Sequence, residues 1–422
     1  MLALLRRNPQ FSRLWISQVV SQAGDWLDRM ACIVLIGHLG GSVGTLGALF
    51  GLELALRLLP ASLLTPFAGP VSDRLPRRAL MIGADLVRAL IVLGFLLVDE
   101  PRKLPWLYAL IALQMSFSVF FDVARSAAVP DTVRREDLHD ANAISAATWS
   151  IMLGLGGVLG GTLVQAVGVR GVFVIDSLSY VASAIALARM RLPPVPKAAH
   201  VFRWSEFLLL RDLKRGWDHA RERSLGVMLF AKTFWGAAGG FLVVLSLAPQ
   251  VRHAQGSGSE AMDAAAFATG MLYSARGLGT GLGPWLSRRF LGGSDRALRL
   301  QIVCGFGVAV VGYGLFGFTE DLAWECLWVA FAHLGGASIW IASTVFWQRH
   351  TDEAFRGRVF ALEYFSMNIA FGLGGMVAGL TFDRTHSIAI TTWVLCGMVL
   401  VLGGLWSVLA FRRPLPLEAP GP

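Results

Sequence analysis

Ionisable side chains stand inside long apolar runs of this 422-residue chain, and several recur as acid–arginine pairs at helical spacing. Glu53 and Arg57 lie four residues apart, while Asp85 and Arg88, and Asp122 and Arg125, lie three apart. On a helix these spacings put both groups on one face, where they can neutralise each other. Asp25 and Asp28 share a run with Arg29, and Asp176, Lys232, Arg276 and Glu363 are isolated charges in theirs. Charges within a membrane span are costly, and they mark ion or substrate pathways. Two chemistries follow. A carboxylate that loses its cationic partner when the protein changes shape takes up a proton and later releases it. Alternatively, the pairs are static links between helices. Asp25, Asp28 and Glu53 fit the proton role, because they fall near the middle of their runs, where transporter sites form. Asp122 and Arg125, at the end of a run, fit the static one.

The elements that must hold these groups are membrane helices. The chain is 55% hydrophobic and 15% charged, with a mean hydropathy of +0.58. A soluble domain averages roughly 25% charged residues, which it needs to cover its surface. The polar punctuation divides the chain into twelve spans. The first six are Phe11 to Gly37, Gly44 to Gly69, Ala79 to Val98, Trp106 to Ala124, Asn142 to Val167 and Val172 to Met190. The second six are Leu225 to Ala248, Ala264 to Leu286, Leu298 to Phe318, Leu322 to Phe346, Val359 to Phe382 and Ile388 to Phe411. Each is long enough to cross a hydrocarbon core of about 30 Å. With the N-terminus in the cytoplasm, the outer loops hold only Arg102, Lys103, Arg170, Arg252 and Arg384, and the remaining loop cations face inward. An even number of spans then places both termini in the cytoplasm.

Composition excludes other classes. The net charge of +9 comes from short basic segments between spans, so it reads as a topology signal and not as a nucleic-acid surface. Cys32, Cys304, Cys326 and Cys396 stand alone and behave as small hydrophobes. No metal-ligand spacing, phosphate loop or nucleophile–base set is present, so neither a cofactor nor an enzymatic activity is expected. The first run contains Asp25, Asp28 and Arg29 and lacks a small-residue cleavage site, so it is expected to be retained.

The chain repeats itself. Gly69-Pro70-Val71-Ser72-Asp73-Arg74 follows the second span, and Gly283-Pro284-Trp285-Leu286-Ser287-Arg288 closes the eighth. The fifth span contains Gly156, Gly157, Gly160 and Gly161, and the eleventh contains Gly374, Gly375 and Gly379 in a similar pattern. Both matches have an offset of about 215 residues, as a duplicated chain requires. These glycines suit close helix packing. The expected organisation is an N-terminal six-helix half (1–192), a cytoplasmic linker (193–224), a C-terminal half (225–413) and a tail (414–422). The linker reads as an amphipathic helix from Trp204 to Arg221, with Phe207, Leu208, Leu210, Leu213 and Trp217 on its apolar face.

The stretch GPVSDRLPRR, Gly69 to Arg78, resembles the loop 2–3 signature of the major facilitator superfamily. Twelve spans, two halves and a long central loop match that family. The stretches NPQFSRLWISQVVSQAGDW, FFDVARSAAVPDTVRREDLHDANAI and FRGRVFAL resemble its branch of enterobactin exporters and macrolide efflux pumps. The resemblance implies that Asp73, with Arg74, Arg77 and Arg78, forms a gating motif in which Asp73 meets the N-terminal end of the eleventh helix. A carboxylate at a helix N-terminus is stabilised by about 0.3–1 kcal/mol. Three positions depart from the family pattern. Gln114 stands where exporters often have an arginine in helix 4, Gly156-Gly157 replaces a Gly-Pro pair, and Ser287 replaces the acid in the second motif copy.

The combined expectation is an all-α membrane protein in which twelve transmembrane helices form two pseudo-symmetric six-helix halves. It would act as a secondary active transporter in the bacterial inner membrane. Its cargo would be a hydrophobic or amphipathic small molecule (a drug, macrolide or siderophore), exported against protons by a monomer among membrane lipids. A lipid or lysolipid transporter, and a non-transporting scaffold or sensor that retains the fold, are the alternatives.

Overall fold

The structure, a computed structural model, describes residues 2–40, 45–72, 74–193, 209–222, 226–254, 256 and 258–412. Asp73, the linker positions Trp204 to Leu208 and the tail 414–422 lie outside the described residues. Apart from short turns, the described chain is helical: α1 (Leu2–Arg7), α2 (Pro9–Gly40), α3 (Leu46–Ser72), α4 (Arg77–Phe95), α5 (Leu104–Ala128), α6 (Leu138–Ala188), α7 (Leu209–Glu222), α8 (Gly226–Gly236), α9 (Gly240–Ala248), α10 (Ser259–Leu291), α11 (Asp295–Phe318), α12 (Leu322–His350), α13 (Glu353–Thr385) and α14 (Ile388–Arg412).

The twelve expected spans map onto α2 to α6 and α8 to α14. The fifth and sixth both lie in α6, which breaks at Gly168, where φ is 72° and ψ is 166°. Only glycine takes that conformation without strain. The seventh span is α8 and α9, joined through one 3₁₀ turn at Ala237–Gly239. The eleventh begins at Glu353, six residues ahead of the expected Val359, because the helix carries Arg356 and Arg358 past the apolar boundary. By length and composition, eight helices among the described residues are apolar enough to cross a membrane. α6 counts once among them, and α2, α4 and α10 are interrupted by charges or glycines.

Large apolar side chains lie on the outside. Leu90 and Leu97 are about 70% exposed, and Phe290 and Phe318 are as open. Faces of that kind suit lipid contact and are unfavourable in water.

Contacts divide the chain into two compact units. Unit 1 comprises Met1–Gly44, Leu56–Phe207 and Ala254–Tyr273, and unit 2 comprises Thr45–Ala55, Leu208–His253 and Ser274–Pro422. α3 and α10 therefore each contribute to both. In unit 1, α2 packs along α6, and α4 packs on α5 and α6. In unit 2, α11 packs on α12 and α14, and α13 on α7, α8, α9 and α14. α7 seats Gly216 against the Arg358 carbonyl and stacks His219 on Phe355 at 4.4 Å.

The internal repeat has a structural counterpart in each unit. In unit 1, Arg78 of α4 donates to the Ala188 carbonyl at the end of α6 (2.6 Å). In unit 2, Arg299 of α11 donates to the Ala410 carbonyl near the end of α14 (2.7 Å). Each arginine satisfies a carbonyl that its helix end leaves open. A second pair recurs with its charges exchanged. Arg77 of α4 bonds Asp131 after α5 (2.7 Å), whereas Asp295 of α11 bonds Arg349 (3.1 Å) and His350 (2.5 Å) of α12. The α4–α5 loop neutralises itself: Lys103 bonds Asp99 at 2.6 Å and Arg102 bonds Glu100 at 2.8 Å. These hydrogen bonds hold both carboxyls below the usual carboxylate range.

Candidate functional site

Unit 1 gathers the charges of four helices into one buried network. α2 supplies Asp25 and Asp28, α4 supplies Asp85 and Arg88, α5 supplies Gln114, and the second half of α6 supplies Asp176, Tyr180 and Ser183. Arg57 enters from the unit 1 part of α3. Asp28, Asp85, Gln114, Asp176, Tyr180 and Arg88 are each at most 1% exposed.

Arg88 is the hub. It bonds Asp85 on its own helix, Ser21 Oγ at 3.0 Å and Asp25 Oδ1 at 3.5 Å. Its guanidinium lies over the Tyr180 ring at 4.3 Å and the Phe121 ring at 4.8 Å, stacking that an ammonium would match poorly. Asp85 also accepts from Ser183 at 2.6 Å. The Tyr180 hydroxyl donates to Asp25 and accepts from Gln114 Nε2 at 3.0 Å. The same amide donates to Asp28 at 2.6 Å, and Arg57 approaches Asp28 at 3.5 Å. The fourth span, α5, thus contributes a neutral amide, and the two guanidiniums come from α3 and α4. Asp25, Asp28, Asp85 and Asp176 are four carboxylates facing two guanidiniums, an acidic excess in a region where unpaired charge is expensive.

The other sequence-derived candidates are distributed as follows. Glu53 is buried, 2% exposed, in the unit 2 part of α3. Asp122 has a side chain 59% exposed and 3.8 Å from Arg125, which also bonds Gln18 at 3.0 Å. Of the gating motif, Gly69 lies in the last turn of α3, Arg77 bonds the Ala127 carbonyl (2.9 Å) as well as Asp131, and Arg78 bonds the Ala188 carbonyl. Arg74 follows α3 and is half-buried.

The glycine runs sit at close helix approaches. In unit 1, Gly156 faces Trp26, Gly160 faces Met30 and Gly161 faces the Ala266 carbonyl, while the Gly157 carbonyl meets Gly270. In unit 2, Gly374 faces the Ala237 carbonyl, Gly375 faces Leu54, and Gly379 meets the Gly47 carbonyl. A groove of about 410 Å³ runs beside Gly156, lined by Ala23, Leu27, Leu159, Thr162 and Leu163.

Sequence reasoning missed three features. Lys232 and Glu363, isolated along the chain, are paired in unit 2 at 2.8 Å, with Ser343 (2.5 Å) and Trp347 (3.1 Å) also donating to Glu363 and Thr344 accepting from Lys232 (2.8 Å). Glu325, fully buried, accepts from Arg252 at 2.5 Å and lies 2.7 Å from His253. Asp383, near the end of α13, accepts from the backbone N–H groups of Gly47 (2.7 Å) and Ala48 (2.8 Å) and so caps the start of α3. These partners come from helices far apart in sequence, so no local spacing announces them. Among the described residues no cluster of His, Cys, Asp and Glu is arranged to hold a metal ion.

Known proteins share this architecture. Macrolide efflux protein A of Streptococcus pyogenes is 24% identical over 399 residues, 93% of each chain. A putative bacilysin exporter, BacE, of Bacillus amyloliquefaciens is 22% identical over 397 residues, again 93% of each chain. Among solved structures, a bacterial homologue of the human lysosomal transporter Spinster, in an inward-facing and unoccupied conformation, superposes with a TM-score of 0.72 at 14% identity, covering 97% of this chain and 99% of that one. The family model of the Major Facilitator Superfamily matches residues 14–324, and the chain is a multi-pass membrane transporter belonging to that superfamily.

Proposed function

We propose that this transporter exports a hydrophobic or amphipathic small molecule in exchange for protons, by alternating access, in the bacterial inner membrane with both termini in the cytoplasm. The observation that carries the reading is the acidic excess of the unit 1 network. A buried site with more carboxylates than cations gains stability by holding a proton, and a change in its cationic partners changes that hold. Asp25, Asp28 and Glu53 are the coupling candidates, and Asp73, Arg74, Arg77 and Arg78 the gating candidates. The N-terminal half (1–192) and the C-terminal half (225–413), joined by the linker, are the moving parts. Two features support a hydrophobic or amphipathic cargo: the apolar groove beside Gly156 and the names of two relatives, a macrolide efflux protein and a bacilysin exporter.

In everted vesicles carrying an imposed proton gradient, erythromycin or bacilysin is expected to dissipate ΔpH in proportion to the amount of transporter. Asp25→Asn, Asp28→Asn and Glu53→Gln should each reduce the response about tenfold, equivalent to about 1.4 kcal/mol of coupling free energy. A gradient that neither compound disturbs removes the support for this cargo class, and full coupling in all three variants rejects these carboxylates as the coupling groups.

A further inference from the structure

Asp176 differs from the other carboxylates of the network. It is fully buried on the second half of α6. Its Oδ1 accepts one hydrogen bond, from Ser179 Oγ at 3.2 Å. Its Oδ2 is buried and meets no donor among the described residues, and no cation among them comes within ion-pair distance. Every other acid of the network has a cation: Asp25 and Asp85 share Arg88, and Asp28 has Arg57. The charged and titratable groups facing Asp176 are Asp25 and Asp28 on α2, Arg88 on α4 and Tyr180 one turn along α6. Arg88 is already bonded to Asp85, Ser21 and Asp25.

The neighbouring helix leaves room for this carboxylate. Gly24 of α2 faces it, and a Cβ there would overlap both Asp176 Oδ1 and Ser179 Oγ. A buried ionised carboxylate with a single hydroxyl donor and two like charges nearby is strongly disfavoured. The neutral acid has no such cost, and its O–H can be donated to a neighbouring carboxylate.

We propose that Asp176 is the carboxyl that carries the exchanged proton, whereas Asp25 and Asp28 stay paired with Arg88 and Arg57 and contribute to coupling through the field they set around it. This assignment rests on the proton-coupled reading above. The step is a bare proton transfer: H⁺ from the aqueous phase adds to Asp176 Oδ2 to give the neutral acid, and its departure restores the carboxylate. Release is favoured when Arg88 turns from Asp85 towards Asp176, keeping its contact with Asp25.

The test needs no cargo. Infrared difference spectra of the full chain in liposomes, recorded between acidic and alkaline pH, report the carbonyl stretch of protonated carboxyl groups. A titrating carbonyl band is expected in the unsubstituted protein. Asp176→Asn should abolish it, Asp176→Glu should restore it at a shifted frequency, and Asp25→Asn and Asp28→Asn should keep it while moving its midpoint. Gly24→Ala, which leaves every charge in place, should shift both the band and its midpoint, and it serves if Asp176→Asn does not fold. A band that survives unchanged in Asp176→Asn, or in Gly24→Ala when only that variant folds, overturns the assignment. Erythromycin-driven ΔpH collapse, measured on the same preparations, separates the two readings. If collapse persists in unsubstituted protein and the band is insensitive to Asp176, coupling stands and the residue assignment fails. If the band follows Asp176 but neither erythromycin nor bacilysin moves the gradient, the proton site stands and the cargo reading fails.

Discussion

At the scale of single residues, Arg88 decides whether the unit 1 network is stable. Two carboxylates depend on its charge, and two rings stack on it. Removing one partner of a buried ion pair typically costs about 3–5 kcal/mol, because the remaining charge is left uncompensated. Arg88→Leu is therefore expected to lower the unfolding temperature of the purified protein markedly. The double variant Asp85→Leu/Arg88→Leu should recover part of the loss, since it removes the orphaned acid as well. A single variant as stable as the unsubstituted protein would contradict this role. The Asp85–Arg88 pair was legible from its spacing, because both residues lie on one helix. The approach of Arg57 to Asp28 on α2 was not, because it joins residues of different helices. Gln114 stood out in the sequence only as a substitute for an arginine, and Tyr180 and Ser183 gave no signal, because ordinary polar residues become network members only when folding brings their helices together.

At the scale of elements, hydropathy located the spans well and their ends less well. α11, α12 and α14 end or begin where their apolar runs do, because lipid sets both limits. α13 starts earlier than its apolar run, and α6 joins two spans in one helix whose turn is marked only by Gly168. Helix ends governed by hydrogen bonds were invisible in the same way. The cap that Asp383 places on α3 connects residues more than 330 positions apart. A lost N-cap costs about 1 kcal/mol, close to a fivefold change in a local opening equilibrium. In Asp383→Ala, the amides of Gly47 and Ala48 should exchange with deuterium about fivefold faster, with α14 unaffected. Equal rates would show that the cap contributes nothing to the hold on α3.

At the scale of the whole molecule, orientation is set by loop charge. The α4–α5 loop holds only two cations, Arg102 and Lys103, both paired with acids, and the larger Lys/Arg count lies in the opposite loops. A cysteine-free background, with Cys32, Cys304, Cys326 and Cys396 replaced by serine, provides the measurement. Single cysteines at positions 102 and 384 should react with an impermeant maleimide applied to intact cells, and those at 134 and 289 only after permeabilisation. The reverse pattern would invert the proposed topology.

The charges that interrupt α2 and α4 also bear on how the protein is made. Biosynthesis delivers α4 to the bilayer before α6 exists, and each central Asp or Arg opposes insertion by about 2.5–3.5 kcal/mol. Asp85 and Arg88 offset one another within α4, and Ser21 and Asp25 of α2 are already present when α4 arrives. Ser183 and the Tyr180 ring come only with the far half of α6. The nascent chain thus has to shelter a half-neutralised hairpin during roughly ninety residues of further translation, spanning Arg88 to Tyr180. The buried network of unit 1 thus makes the spans of α2 to α6 a single cohort for assembly.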